Sequence, residues 1–544
     1  MLQTSGFVLL VLFLQTANVA AGRWSAIDGD ILVRIRDEGQ FHSQIMRTMH
    51  YLTDVYGPRL TGSPNFKAAA DWALAQMQTW GLVNAHLEPW DFGHPGWVNE
   101  RFSAHVTRPI KDQLTCEVVA WTPGTAGPVT GQIYVMNIPE KPSADTLAKY
   151  LESVRDAVKG RVVFVGKPQT VPFVSNPPSK RRNDEQVRAQ YDPKNPRPAF
   201  PQMVRPSAGP ADPAVLTVNQ VTERVDAFLV SAGATLKVSD AGMSQGRIRA
   251  FGNRTYDVDK SVPAVVMRNE DYGRLSRILA DGTQVEIEVN IDNRTYPEGK
   301  TAHNLIAELP GTDKKDEIVM LGGHLDSWHS ATGATDNAIG CAVMMEAVRI
   351  LKSCGLQPRR TIRIALWSAE EQGLLGSQAY VKEHFGTFEE PKAEYSRLVA
   401  YFNIDSGTGR ARGMNVFGPA PAADILREAV APFADLGVVG AVSSRSRRLG
   451  GTDSTSFNQA GLPGIGIGQD PIEYFTDTWH TSVDTYERIL EEDAKSSAIV
   501  VAGAVYQLAM KDEMLPRFTK EEMPPPAKPE GEAPKPAPPA PPTN

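Results

Sequence analysis

The chain has 544 residues, 41% hydrophobic and 22% charged, with a formal net charge of −7. This is globular composition in a chain too long for one ordinary domain, and its 3 cysteines exclude a disulfide-stapled scaffold. The acidic balance gives no reason to expect nucleic acid as a partner.

Residues Met1 to Leu14 end in an apolar run too short to span a bilayer, and the small residues Val19-Ala20-Ala21-Gly22 follow. We read 1–21 as a cleaved export signal, although its first residues hold no Lys or Arg. That predicts a periplasmic or extracellular protein with no membrane span after cleavage. Between Phe66 and Trp80, the residues Ala69, Trp72, Ala73, Met77 and Trp80 share one helical face, predicting a core helix that stops at Gly81.

From 114 to 297 the chain is rich in Val, Gly and Pro, with short strand-like runs such as Val162-Val-Phe-Val165. The pattern predicts a β-rich insert dividing a catalytic domain into 22–113 and 298–515. The basic cluster Lys180-Arg-Arg182 sits among prolines and polar residues and reads as a solvated loop. Asn253-Arg-Thr and Asn293-Arg-Thr match glycosylation acceptors, which matter only in a eukaryotic secretory pathway. Cys116, Cys341 and Cys354 read as buried packing residues.

The chemistry is concentrated after 298. His303 opens a strand without a polar loop behind it and reads as structural. In Glu317-Ile-Val-Met-Leu-Gly-Gly-His324-Leu-Asp326, an apolar run stops abruptly, which predicts a buried parallel strand with His324 and Asp326 at its carboxyl end. Asp336 precedes apolar residues at helical spacing, predicting a helix N-cap where a carboxylate stays ionised. Two more strand-like runs end in Glu370-Glu371 and in Asp405, and His480 follows late in the chain. Adjacent carboxylates at a sheet edge repel unless cations lie nearby. One glutamate can then ligate a metal while the other takes a proton from the attacking water. Each piece alone has a bland reading as a cap, a surface group or a core histidine. Their order, with three pieces at strand ends, is what points to one metal site at one sheet edge.

The series Gly-Gly-His324-Leu-Asp326-Ser, Asp336-Asn, Glu370-Glu371-Gln-Gly, Asp405-Ser-Gly and His480-Thr-Ser resembles the co-catalytic zinc exopeptidases that include leucine-type aminopeptidases. With Trp328 after the first motif, it resembles the plasma glutamate carboxypeptidase branch. Tyr56-Gly-Pro-Arg-Leu-Thr-Gly-Ser63 also resembles an N-terminal signature of that family. The resemblance implies an α/β zinc exopeptidase fold, a mixed and mostly parallel sheet with helices on both faces, and identifies the insert as similar to a protease-associated domain. It also implies two Zn2+ ions, with Mn2+ or Co2+ as alternatives. His324 and Asp405 would hold one ion, Glu371 and His480 the other, and Asp336 both. Asp326 would orient the His324 imidazole and Glu370 would be the general base. Tyr474 is a candidate for oxyanion stabilisation.

The function so implied is exopeptidase cleavage of short peptide substrates, as an aminopeptidase or a dipeptidase of the carboxypeptidase-like branch, with a homodimer left open. A one-zinc cyclase or deacylase, or a catalytically silent receptor-like ectodomain, are the other classes on the same fold. The Pro-rich region 516–544 is expected to be an extended, disordered tail.

Overall fold

The computed structural model describes residues 29–173, 175, 181–194, 212 and 214–526. The export signal expected at 1–21 lies outside the described residues, as do Lys180 and 527–544.

The main sheet has eight strands in the order Val83–Asp91, Thr301–Leu309, Arg360–Trp367, Lys314–His324, Leu398–Ile404, Gly464–Gln469, Ala411–Phe417 and Ala441–Ser444. The middle strands Arg360–Trp367, Lys314–His324, Leu398–Ile404 and Gly464–Gln469 run parallel, and antiparallel pairings extend the sheet on both sides. The inner stretches of these middle strands, such as Ile318 to Leu321 and Leu398 to Phe402, are apolar because both faces are covered. Val319 and Leu321 point to one face, where Met345 and Val348 of helix Ile339–Ser353 pack with Val501 and Val505 of helix Glu491–Met510. Ile318 and Met320 point to the other, against Tyr380 and Phe457. There Tyr401 and Phe457 stack with centroids 4.2 Å apart. Losing a buried ring of this kind costs about 3–5 kcal/mol.

The predicted helix forms as Pro64–Thr79, capped by Ser63, whose hydroxyl accepts the Phe66 N–H at 3.1 Å. Gly81 follows in the left-handed region at φ +80°.

A second eight-stranded sheet takes in Gly96–Arg108, paired antiparallel with Glu286–Tyr296, so it begins N-terminal to residue 114. Val129–Met136, Val162–Val165, Leu236–Asp240 and Ala264–Met267 are parallel within it. Parallel neighbours need crossovers, and the helices Ala144–Ser153 and Val218–Ala232 supply them, so the inserted unit is helical as well as β. Both passages between the units converge on three glycines in backbone contact. A Cβ on Gly96 would lie 1.9 Å from the Gly62 carbonyl oxygen, and one on Gly299 would lie 2.3 Å from the Gly96 nitrogen.

Two expectations need correction. Arg182 is not in a solvated loop: its backbone N–H and side chain dock on Asp470 and Gln469 of the catalytic domain. The region expected to be loose from 516 is docked as far as Pro524. The Phe518 ring packs on Phe417 at 5.2 Å, and Arg447 holds the Pro524 carbonyl at 2.9 Å. In both cases the anchoring group lies far away in sequence. The side-chain amides of Asn253 and Asn293 are engaged, with Asp257 O at 2.8 Å and Thr122 O at 2.9 Å. The cysteines are buried and unbridged. Among the described residues, no helix is long and apolar enough to cross a membrane.

Candidate metal centre

The middle strands deliver their carboxyl ends to one place. His324 is the last residue of its strand, Asp405 follows Ile404 directly, and Glu370 and Glu371 lie on the turn after Trp367. His480 arrives on the loop that follows the Gly464–Gln469 strand. Asp336 is not the helix N-cap that its spacing suggests. It occupies irregular backbone (φ −133°, ψ 87°), and helix Ile339–Ser353 starts three residues later. Asn337 does the capping work, since its Oδ1 accepts the Gly340 N–H at 3.1 Å. Asp336 is thereby released to face the imidazoles.

All seven residues singled out in the sequence meet here. Asp336 turns one oxygen to each histidine: Oδ1 lies 3.3 Å from His324 Nε2, and Oδ2 lies 3.1 Å from His480 Nε2. Glu371 Oε2 is 2.9 Å from His480 Nε2, and Asp405 Oδ2 is 3.6 Å from His324 Nε2. Glu370 Oε2 stands 3.9 Å from His324 Nε2. Two clusters result, His324 with Glu370 and Asp405, and Asp336 with Glu371 and His480. Asp326 differs in detail from its expected role. Its backbone carbonyl accepts from His324 Nδ1 at 2.9 Å, while its carboxylate stands 3.7 Å from that nitrogen. The carboxylate instead accepts the N–H groups of Glu370 and Glu371, both at 3.2 Å. His303 lies elsewhere, on the Thr301–Leu309 strand.

The charges show what the site wants. Burial would lower the His324 imidazole, yet Glu370 and Asp405 hold it well above its ordinary value. His480, also buried, is held up at about 10 by Glu371 and Asp336. Burial drives Glu370 well above the carboxylate range and Glu371 to about 7. Burial acts the same way on Asp336, but the two imidazoles overcome it and hold this carboxyl low. Carboxylates crowded in this way around two imidazoles demand positive charge, which divalent cations are suited to supply. The donor set fits zinc: imidazole and carboxylate with no thiolate. With Nδ1 fixed by the Asp326 carbonyl, His324 Nε2 is buried without a hydrogen-bond partner, as is Glu371 Oε1.

Sequence reasoning missed Asp484. It is buried, and its oxygens accept the Thr335 N–H at 2.6 Å and the Asp336 N–H at 3.1 Å, fixing the backbone that carries Asp336. Its position four residues after His480 was the available signal. Tyr474, a candidate before, donates to Asp405 Oδ1 at 3.2 Å, and burial pushes its phenol well above the ordinary value. A cavity of about 710 Å³ opens beside the centre, walled by Leu374, Pro471, Phe475 and Trp479 and touched by Arg182.

A sheet edge on which two imidazole and carboxylate clusters lie side by side, with Asp336 facing both imidazoles, is the geometry of a metallohydrolase site. Residues 304–505 match the model of Peptidase family M28. Carboxypeptidase Q of Mus musculus is 27% identical over 487 residues, covering 89% of this chain and 90% of the relative. The crystal structure of a peptidase M28 precursor from Shewanella amazonensis SB2B superposes with a TM-score of 0.62 at 23% identity, covering 90% of this chain and 99% of that one. BSAP, a zinc aminopeptidase from Bacillus subtilis, gives a TM-score of 0.53 at 18% identity over 88% of this chain and 98% of its own. Residues 304–505 carry the match to peptidase family M28, and the chain is a metallo-exopeptidase with the zinc exopeptidase fold.

Proposed function

We propose that the protein is an exported two-zinc exopeptidase acting on short peptides with a free carboxyl end. The observation that carries the two-ion reading is Asp336, whose oxygens face His324 and His480 separately. His324 and Asp405 would hold one ion, Glu371 and His480 the other, with Asp336 shared. Zinc bound there supplies Lewis-acid polarisation of the scissile carbonyl and lowers the pKa of the attacking water.

The chain's own groups do the rest. Glu370, on the turn held by Asp326, accepts a proton from the attacking water and delivers it to the leaving amine nitrogen. The Tyr474 phenol, kept protonated by burial, would turn its proton from Asp405 Oδ1 towards the oxygen that gains charge. Among the described residues lining the cavity, Arg182 is the one lysine or arginine, and every carboxylate belongs to the metal centre. A substrate carboxylate would meet the Arg182 guanidinium, which already donates to Gln190 and to the Gln469 carbonyl, whereas a substrate ammonium would meet only carboxylates of the centre. This favours the dipeptidase or carboxypeptidase-like reading over the aminopeptidase one. The leader-like N-terminus supports export.

The test is hydrolysis of a dipeptide panel beside the matching aminoacyl amides, with and without chelator, together with zinc analysis. We expect chelator-sensitive cleavage that prefers the free acids, and about two zinc ions per chain. One zinc per chain would favour the cyclase or deacylase class. Chelator-insensitive activity would overturn the metal reading.

A further inference from the structure

The inserted unit supplies no ligand, yet one short segment of it, Arg247 to Phe251, grips the loop that carries His480. Arg247 donates to Asp477 Oδ1 at 2.7 Å and to the Thr476 carbonyl. Ile248 and Ser482 exchange two bonds: Ser482 N–H donates to the Ile248 carbonyl at 2.8 Å, and Ile248 N–H donates to Ser482 Oγ at 3.1 Å. Arg249 donates to the Trp479 carbonyl at 3.0 Å and lies over that ring, 5.0 Å from its centroid. Phe251 meets the His480 imidazole edge-on at 5.5 Å and Trp328 at 5.0 Å.

The loop has reason to need a grip. Glu473 and His480 bracket it at φ +57° and +59°, a conformation that a side chain with a Cβ keeps only when its surroundings over-determine it. His480 lies on no strand, whereas His324 ends one and Asp405 directly follows another. The loop is also held through Thr335, whose hydroxyl bonds Thr478 Oγ1 at 2.8 Å, so contacts from both units hold it.

We propose that Arg247–Phe251 is a positioning strap that makes one of the two zinc positions depend on the inserted unit. Resting on the two-zinc reading, the strap sustains the Glu371 and His480 position and leaves the His324 and Asp405 position to the sheet. The segment acts through His480 and touches no reacting atom. Its removal therefore acts on metal retention first, and loss of turnover follows from that.

The experiment compares the full-length wild type, Arg247→Ala combined with Phe251→Ala, and the milder Ser482→Ala, each equilibrated in buffers of graded free zinc. Bound metal and the unfolding temperature of the metal-free form are measured. The expected result is selective. One zinc weakens about 10–100-fold in the double variant and less in Ser482→Ala, the other keeps its wild-type affinity, and the metal-free unfolding temperature stays close to wild type. Arg247→Lys, which keeps the charge, should restore part of the affinity when introduced in place of Arg247→Ala. Unchanged affinity at both positions, or loss of both ions together with a fall in metal-free stability, overturns the strap. A wild type that binds fewer than two zinc ions overturns the two-zinc reading instead.

Discussion

Asp326 Oδ1 accepts the backbone N–H of Glu370 at 3.2 Å, and its second oxygen holds Glu371 at the same distance. One buried carboxylate thus sets the turn that carries both glutamates, while its own carbonyl fixes the His324 ring. Asp326→Asn replaces one acceptor oxygen with a donor facing an N–H. We expect zinc affinity to fall about 10–100-fold and turnover to fall with it. Zinc titration and steady-state kinetics check this, and wild-type values for both would remove the role.

Glu370→Ala should lower kcat by about 10²–10⁴-fold with zinc content close to wild type, because a general base is lost and the ligands stay. A variant that retains most of its activity would refute the assignment.

Arg182→Gln should raise KM for free-acid dipeptides about 10-fold or more and leave aminoacyl amide hydrolysis near wild type, as expected when a charge-assisted contact is removed. Arg182 also docks on Gln469 and Asp470, so Arg181→Gln is the control. Arg181 pairs with Asp470 too but does not line the cavity, and its variant should keep the wild-type preference.

Burial lifts the half-buried Glu117 carboxyl from 4.5 to about 7. Since the folded-state value is the higher one, the unfolded chain releases this proton first. The stabilising contribution is full below 4.5, declines as pH rises towards about 7, and levels off above it. Glu117→Gln should flatten that slope and, above neutrality, leave the protein more stable by roughly 1–3 kcal/mol. Unfolding measured across this range decides, and an unchanged slope would exclude Glu117 as its source.

The site was legible where its signals were local. His324, Glu370, Glu371 and Asp405 each end or follow an apolar run, and a run that breaks into polar residues locates a sheet edge from sequence. Asp484 was signalled only by its place four residues after His480, because its role is to hold the N–H groups of Thr335 and Asp336, and no period in its own segment encodes that. Asp336 was placed correctly at the site but given the wrong backbone, since helical spacing begins after Asn337 and the asparagine caps the helix. Arg182 and the segment Arg517 to Pro524 look solvated by composition. The groups that bury them lie far off in sequence: Asp470 is 288 positions from Arg182, Tyr395 is 122 from Arg517 and Arg447 is 77 from Pro524. The main sheet was readable for the same reason as the ligands, while the helices of the inserted unit were hidden by its Val, Gly and Pro content.

The meeting of Gly62, Gly96 and Gly299 means that the chain leaves the host sheet and returns to it through one narrow doorway. A unit with its entrance and exit back to back can be spliced in without prying the host strands apart. Any cassette fitted to that doorway would keep the host architecture. On the proposed reading of the strap, a cassette that also kept the His480 loop in place would have to reproduce the short stretch from Arg247 to Phe251.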